Sequence, residues 1–246
     1  MHEYMKFIER FKRLIPKNIK PKFKNEKELL LWHKKQEKIS STYVMQNNKK
    51  TKIKKLLQKS GIKKLYTNCS FENYKIQHQG QKKAVLAAKN YAQKFNKNIS
   101  SFIFSGKPGT GKNHLASAIG KYLIEQGKKV LIITVADLMS NIKNTFHNKS
   151  KITEAELLKK ISEIDLLIID EIGIQIESRY EKVILNQIID RRSSSKKPTG
   201  MLSNLNYKRM QLLLGDRVID RMRLGNSIWI NFTWESFRRN ITGHEK

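Results

Sequence analysis

Between Ser101 and Ile119 an apolar run, a glycine-rich loop and an amphipathic helix pattern follow one another without a gap. The run is Ser101-Phe102-Ile103-Phe104. The loop is Gly106-Lys107-Pro108-Gly109-Thr110-Gly111-Lys112, and the helix signal is Leu115-Ala116-Ser117-Ala118-Ile119. The loop fits G-x-x-x-x-G-K, and a strand before it with a helix after it is the setting that motif requires. Glycines let backbone N–H groups curl around phosphate oxygens without Cβ clashes. The helix that begins near Gly111 adds the positive end of its dipole. Lys112 supplies a full charge toward the β- and γ-phosphates of a nucleotide. The competing reading is a glycine-rich turn with no ligand. Ser or Thr ordinarily follows the lysine to hold Mg²⁺; here Asn113 does, and an amide oxygen can ligate the ion or hold one of its waters.

A second apolar run, Leu166-Leu167-Ile168-Ile169, ends in Asp170-Glu171, 58 residues after Lys112. A buried strand that delivers two acids to one end suits metal-assisted phosphate chemistry. Asp170 is expected to hold Mg²⁺ through water, and Glu171 to polarise the attacking water as general base. Further runs at Lys129–Thr134, Gly200–Ser203 and Ser227–Phe232 alternate with helical patterns, beginning with Gln79–Phe95. Strands and helices in alternation imply an α/β fold, a parallel five-stranded sheet flanked by helices. Lys149–Thr153 and Ser193–Pro198 read as loops. Leu202-Ser203-Asn204 ends a strand with a polar amide, placing Asn204 near a γ-phosphate, where it can orient water.

The first third of the chain has a different texture. Residues 1–75 hold 21 Lys or Arg against 6 Asp or Glu, so about half of the net charge of +29 lies there. A basic field of that size steers polyanions, although A+T-biased coding also enriches Lys, Asn and Ile. Tyr4, Phe7, Ile8, Phe11, Leu14 and Ile15 form a helical stripe that Pro16 and Pro21 stop. A second helical stretch starts near Asn25, and a third spans Lys52–Lys59, with Gly61 as its C-cap. Together these predict a small all-helical domain over 1–64, with a sparse core, and an ATPase domain over 65–246. The sequence has no apolar run long enough for a membrane helix and no secretory signal pattern. With Cys69 as its single cysteine, it has no internal disulfide, which suits a reducing cytoplasmic setting.

The motif set resembles the DnaC helicase-loader family. The resemblance lies in Gly106 through His114 with Asn113 in place, Asp170-Glu171-Ile172-Gly173, Asp190-Arg191-Arg192-Ser193-Ser194-Ser195, and Asp216 through Gly225. It runs from about Gly61 to the end and covers the lysine-rich N-terminus more loosely. It implies a P-loop AAA+ fold on DnaA's branch, with a helical lid absent or rudimentary. It also implies ATP and Mg²⁺ as cofactors and self-association through the AAA+ interface. The expected partners are a hexameric, DnaB-type replicative helicase held by the N-terminal domain, and single-stranded DNA held by the ATPase. On the family's pattern Asn204 takes the sensor 1 place, Arg221 the arginine-finger place with Arg217 one turn earlier as alternative, and Arg238 the sensor 2 place.

Aromatic residues in polar surroundings are the candidates for stacking DNA bases. Phe146, in Asn144-Thr145-Phe146-His147, comes first and Tyr180 second; the alternative for Phe146 is to anchor its loop to the core. Phe7 and Phe11, at the heart of the first stripe, are the candidates for gripping the helicase, unless that stripe is core for the N-terminal bundle. Three rivals remain: an IstB-like transposition helper, which shares the loop and the acids; a small-molecule kinase, which needs an acceptor pocket; and a non-catalytic DNA-binding adaptor, against which Lys112, Asp170 and Glu171 argue.

Overall fold

In the apolar runs successive residues face opposite sides of a sheet that is covered on both faces. The computed structural model describes residues 26–95, 100–147, 152–174 and 178–237. Its strands are β1 (Phe102–Gly106), β2 (Val130–Thr134), β3 (Leu166–Ile172), β4 (Thr199–Ser203) and β5 (Ile228–Phe232). They form one sheet in the order β2-β3-β4-β1-β5, with every pair parallel. Phe102 and Phe104 join one core cluster and Ile103 the other; Leu166 and Ile168 likewise part from Leu167 and Ile169. The expected parallel five-stranded sheet is therefore present.

The helices are α1 (Glu26–Lys59), α2 (Gln79–Lys94), α3 (Lys112–Glu125), α4 (Val135–Lys143), α5 (Glu154–Glu163), α6 (Arg179–Ser194), α7 (Tyr207–Leu214) and α8 (Asp216–Met222). On one face α2 and α3 bury Ala84, Ala88, Tyr91, Leu115, Ile119 and Leu123 against Phe102, Phe104 and Phe232. On the other, α4 through α8 bury Leu138, Leu158, Ile188, Met210 and Ile219 against Ile103, Ile169 and Met201. Helix starts follow from side-chain caps. Thr153 and Ser178 each accept the N–H three residues on, while Glu156 and Glu181 answer the cap's own N–H.

The second and third helical stretches expected from sequence are one helix, α1. No Pro or Gly interrupts residues 26–59. The hydroxyls of Ser41, Thr42 and Thr51 donate to carbonyls three or four residues back, so the polar stretch continues the helix instead of ending it. The chain divides into compact units at 51/52, whereas the sequence texture changes near Leu65. Ile53, Leu56 and Leu57 explain the earlier division, because they pack on the ATPase core. The described part of the first unit is helical, with Leu30, Leu31, Ile39, Tyr43, Val44 and Met45 exposed. The Tyr4-to-Ile15 stripe, including Phe7 and Phe11, lies outside the described residues, as does any lid after residue 237. No helix among the described residues is long and apolar enough to cross a membrane.

Arg192 is fully buried in α6. Its guanidinium donates to the carbonyls of Ile161, Ser162, Ile164 and Pro198 and to the Thr199 hydroxyl, so one side chain ties α6, the end of α5 and the start of β4 together. Burial pulls its pKa down to about 10, which still leaves it charged at neutral pH. Arg192→Leu removes five donations and leaves those acceptors without their donor. Denaturant unfolding is expected to show a loss of about 3–5 kcal/mol, and Arg192→Lys should recover little of it, because an ammonium cannot span the same fork.

Candidate functional site

The carboxyl ends of β1, β3 and β4 lie side by side in this strand order, which is where open α/β sheets bind ligands. A cavity of about 470 Å³ opens there. Residues 108–114, Asp170, Glu171, Ser203 and Asn204 line it from the sheet side, and Leu65, Tyr66, Cys69, Asn73, Tyr74, Lys75, Ile174 and Phe237 complete it. Lys112, Asn113, His114, Asp170, Glu171 and Asn204, all singled out from sequence, thus meet in one place.

The loop bends through left-handed conformations at Gly106, Gly109 and Gly111 (φ of 118°, 74° and 92°). Packing adds to the need for glycine. A Cβ on Gly109 would lie 2.0 Å from the Ser236 hydroxyl, and one on Gly111 2.6 Å from the Tyr74 ring. The loop's outer side is therefore pressed against protein, and its inner side faces the cavity. Gly111 caps α3, whose fourteen residues point their N-terminus at the same space. Lys112 Nζ donates to the Gly106 and Lys107 carbonyls, both at 2.7 Å, and so reaches across the loop's mouth. These features fit a polyphosphate.

Asp170 is nearly inaccessible and held by two donors. Asn113 Nδ2 donates to its Oδ2 at 2.7 Å, and the Glu171 N–H to its Oδ1 at 2.7 Å. A carboxylate accepts only, so the Asn113 amide must present nitrogen to Asp170, and its oxygen is turned elsewhere. Glu171 sits at φ 62°, a left-handed conformation rare for a residue with a side chain. The register between β3 and β4 shifts between Ile169 and Ile172, so the backbone turns where the second acid is displayed. At the end of β4, the Ser203 hydroxyl donates to the Ile172 carbonyl and accepts the Leu205 N–H, which fixes the turn that carries Asn204.

Sequence reasoning missed the aromatic wall. Tyr74 Oη and Trp234 Nε1 both donate to the Thr110 carbonyl, at 2.8 and 2.9 Å. The Lys75 ammonium lies 5.2 Å from the Phe237 ring centre. His114 Nε2 donates to the Ser70 carbonyl at 2.9 Å, and burial lowers that imidazole's pKa, which favours its neutral form. Of these residues only His114 stands in a motif singled out from sequence; for the rest, the cluster of aromatic residues around 65–75 was the available signal.

The remaining candidates lie elsewhere. Arg217 and Arg221, on α8, both pair with Asp190 of α6, each with a separate carboxylate oxygen. The Arg217 side chain is 75% exposed and that of Arg221 23%. Phe146, in a 3-10 turn after α4, is 58% exposed. Tyr180 is 39% exposed, and its hydroxyl donates to Glu154 at 3.3 Å. Arg238 lies outside the described residues.

Residues 36–238 match the family model described as IstB-like ATP binding protein. The chain is 62% identical, over all of both chains, to a replicative helicase loader DnaC of Buchnera aphidicola. It is 55% identical to the Escherichia coli K12 protein of the same name, over 97% of each. A crystal structure of the DnaC helicase loader shares the fold, with a TM-score of 0.62 at 22% identity, over 70% of this chain and all of that one. Full-length identity of this degree outranks the broader family model, and the transposition-helper alternative is not favoured. The chain belongs to the DnaC family of AAA+ ATP-binding proteins.

Proposed function

We propose that this protein is an ATP-dependent loader. It binds the hexameric, DnaB-type replicative helicase and delivers it onto single-stranded DNA. One observation carries the reading: the phosphate loop, the paired acids and Asn204 share one cavity in a chain that aligns end to end with proteins named for that task.

The cavity divides the work. The N–H groups of residues 109–112 and the Lys112 ammonium receive the β- and γ-phosphates. Leu65, Tyr66, Lys75 and Phe237 supply the apolar and cationic walls that suit a purine. Asp170 would hold Mg²⁺ through water, and the Asn113 amide oxygen, free of the carboxylate because its nitrogen makes that bond, would ligate the ion or hold one of its waters. When bound, it would neutralise charge that builds up on the phosphates. Glu171 accepts a proton from the attacking water, which Asn204 orients. Arg221 reaches a neighbouring subunit's γ-phosphate on release from Asp190, with Arg217 as the alternative, and Arg238 takes the sensor 2 role. Phe146 and Tyr180 stack DNA bases. Phe7 and Phe11 grip the helicase from the N-terminal domain, residues 1–64. Self-association, stimulation by DNA and helicase, and a cytoplasmic location complete the reading.

The test is ATPase turnover with and without single-stranded DNA and the cell's replicative helicase, together with co-purification of that helicase. A loader responds to both and binds the helicase. A kinase responds to neither, and an adaptor shows no turnover.

Glu171→Gln keeps the shape and removes the base, so ATP should still bind while steady-state turnover drops by about 10²-fold or more. Arg221→Ala should leave ATP affinity of an isolated subunit unchanged and lower hydrolysis only where subunits stack. Mixing it with Lys112→Ala should restore part of the activity, as a finger acting in trans requires; the absence of rescue would assign the arginine to structure. Phe146→Ala should weaken single-stranded DNA binding by about 1–3 kcal/mol in a fluorescence titration, with unchanged melting, since a stacked base contributes that much.

A further inference from the structure

The mouth of the phosphate loop is spoken for by the nucleotide; its back is held by two side chains that no motif predicts. Thr110 is almost fully buried, and its carbonyl accepts two hydrogen bonds, from Tyr74 Oη at 2.8 Å and from Trp234 Nε1 at 2.9 Å. The donors come from opposite ends of the ATPase unit. Tyr74 belongs to the segment between α1 and α2, and Trp234 follows the last strand. Each ring packs closely on a glycine: a Cβ on Gly111 would lie 2.6 Å from the Tyr74 ring, and one on Gly80, in the first turn of α2, 3.3 Å from the Trp234 ring. The Tyr74 ring also meets His114 edge-on at 5.1 Å, and the Trp234 ring meets Phe232 at 4.8 Å.

The rest of the loop is gripped from the same two directions. The Lys107 N–H donates to the Phe232 carbonyl at 3.0 Å, and the Phe237 N–H to the Gly109 carbonyl at 2.9 Å. His114, in the first turn of α3, holds Ser70. Burial pushes the Tyr74 hydroxyl's pKa up to about 12, so it remains a donor throughout the neutral range. A peptide plane whose carbonyl is pinned outward turns the next N–H, that of Gly111, inward, toward the cavity. A loop held so costs little reorganisation when phosphate arrives, which is how preorganised donors gain affinity.

We propose that Tyr74 and Trp234 are positioning residues that preset the phosphate loop through the Thr110 carbonyl, and so set affinity for the triphosphate rather than the rate of its cleavage. This rests on the loop being the nucleotide site.

The experiment uses the full chain with Tyr74→Phe, Trp234→Phe, the double variant and Lys112→Ala. Affinity is measured for a fluorescent ATP analogue and, by competition, for inorganic tripolyphosphate, which has no base. Melting temperature and turnover at saturating ATP are recorded beside it. Tyr74→Phe keeps the ring and should weaken binding of both probes by the same factor, about three- to tenfold, the effect of one hydrogen bond. Melting should fall by no more than a few degrees, as the loss of one hydrogen bond allows, and saturated turnover should stay within about twofold. The double variant should exceed the product of the two singles, since only there does the buried carbonyl lose every donor.

An unchanged affinity in Tyr74→Phe overturns the inference, whether or not Trp234→Phe folds. Loss for the ATP analogue alone also overturns it, because that would make Tyr74 a base contact. A fall in melting with affinity intact overturns it as well and leaves Tyr74 a packing residue. If Lys112→Ala binds as the wild type does, the nucleotide-site reading itself fails; if Lys112→Ala loses binding and Tyr74→Phe does not, only the present inference does.

Discussion

Parallel pairing of β1, β3 and β4 decides where chemistry can occur in this protein. Phe102 pairs with Gly200, and Gly200 with Ile168, so the three strands end level with one another. Each then releases its chain on the same edge: β1 into the phosphate loop, β3 into Asp170 and Glu171, β4 into Ser203 and Asn204. Interior strands of such a sheet are apolar throughout, because helices cover both faces. Their polar groups must gather at the ends, and the strand order makes three ends into one cavity.

That edge is kept in place by buried polar contacts. Arg192 satisfies carbonyls from two segments, the end of α5 and the start of β4, and so ties α6 to both. Asp170 is locked by Asn113 from α3 and by the backbone of its own strand. Asn113 therefore bridges the loop to the acid strand through its amide nitrogen. An amide reaches further than a hydroxyl and is fixed by its plane, so one hydrogen bond directs both its ends.

Much of this was legible in the sequence because it depends on short-range pattern. The run Leu166–Ile169 names a doubly covered strand by hydrophobicity alone, and Gly106–Lys112 names its own conformation through its glycines. α1 was misjudged because Ser, Thr and Asn between residues 40 and 51 resemble a linker in composition, yet the Ser and Thr hydroxyls bond back along the helix. Arg192 was read as part of a motif, with nothing to indicate that it is the most deeply buried charge in the chain's described part; that depends on carbonyls 28 to 31 residues away. Tyr74 and Trp234 were silent for the same reason. They meet at one carbonyl from positions 160 residues apart, and no local window contains both.

The pairing of Arg217 and Arg221 with Asp190 bears on the trans role proposed for them. A shared carboxylate lets two guanidiniums hold each other's partner in place, but exposed pairs contribute only about 0–1 kcal/mol each. Arg217, three-quarters exposed, is bound to Asp190 on those terms. Arg221 is more enclosed and is held more firmly. A neighbouring γ-phosphate carries more charge than a carboxylate and accepts a bidentate fork equally well. If either arginine leaves, the other still neutralises Asp190, so the second pair lowers the cost of releasing the first. Pairing on α6 thus does not oppose the trans role proposed above, since one arginine can stay on the carboxylate if the other leaves it.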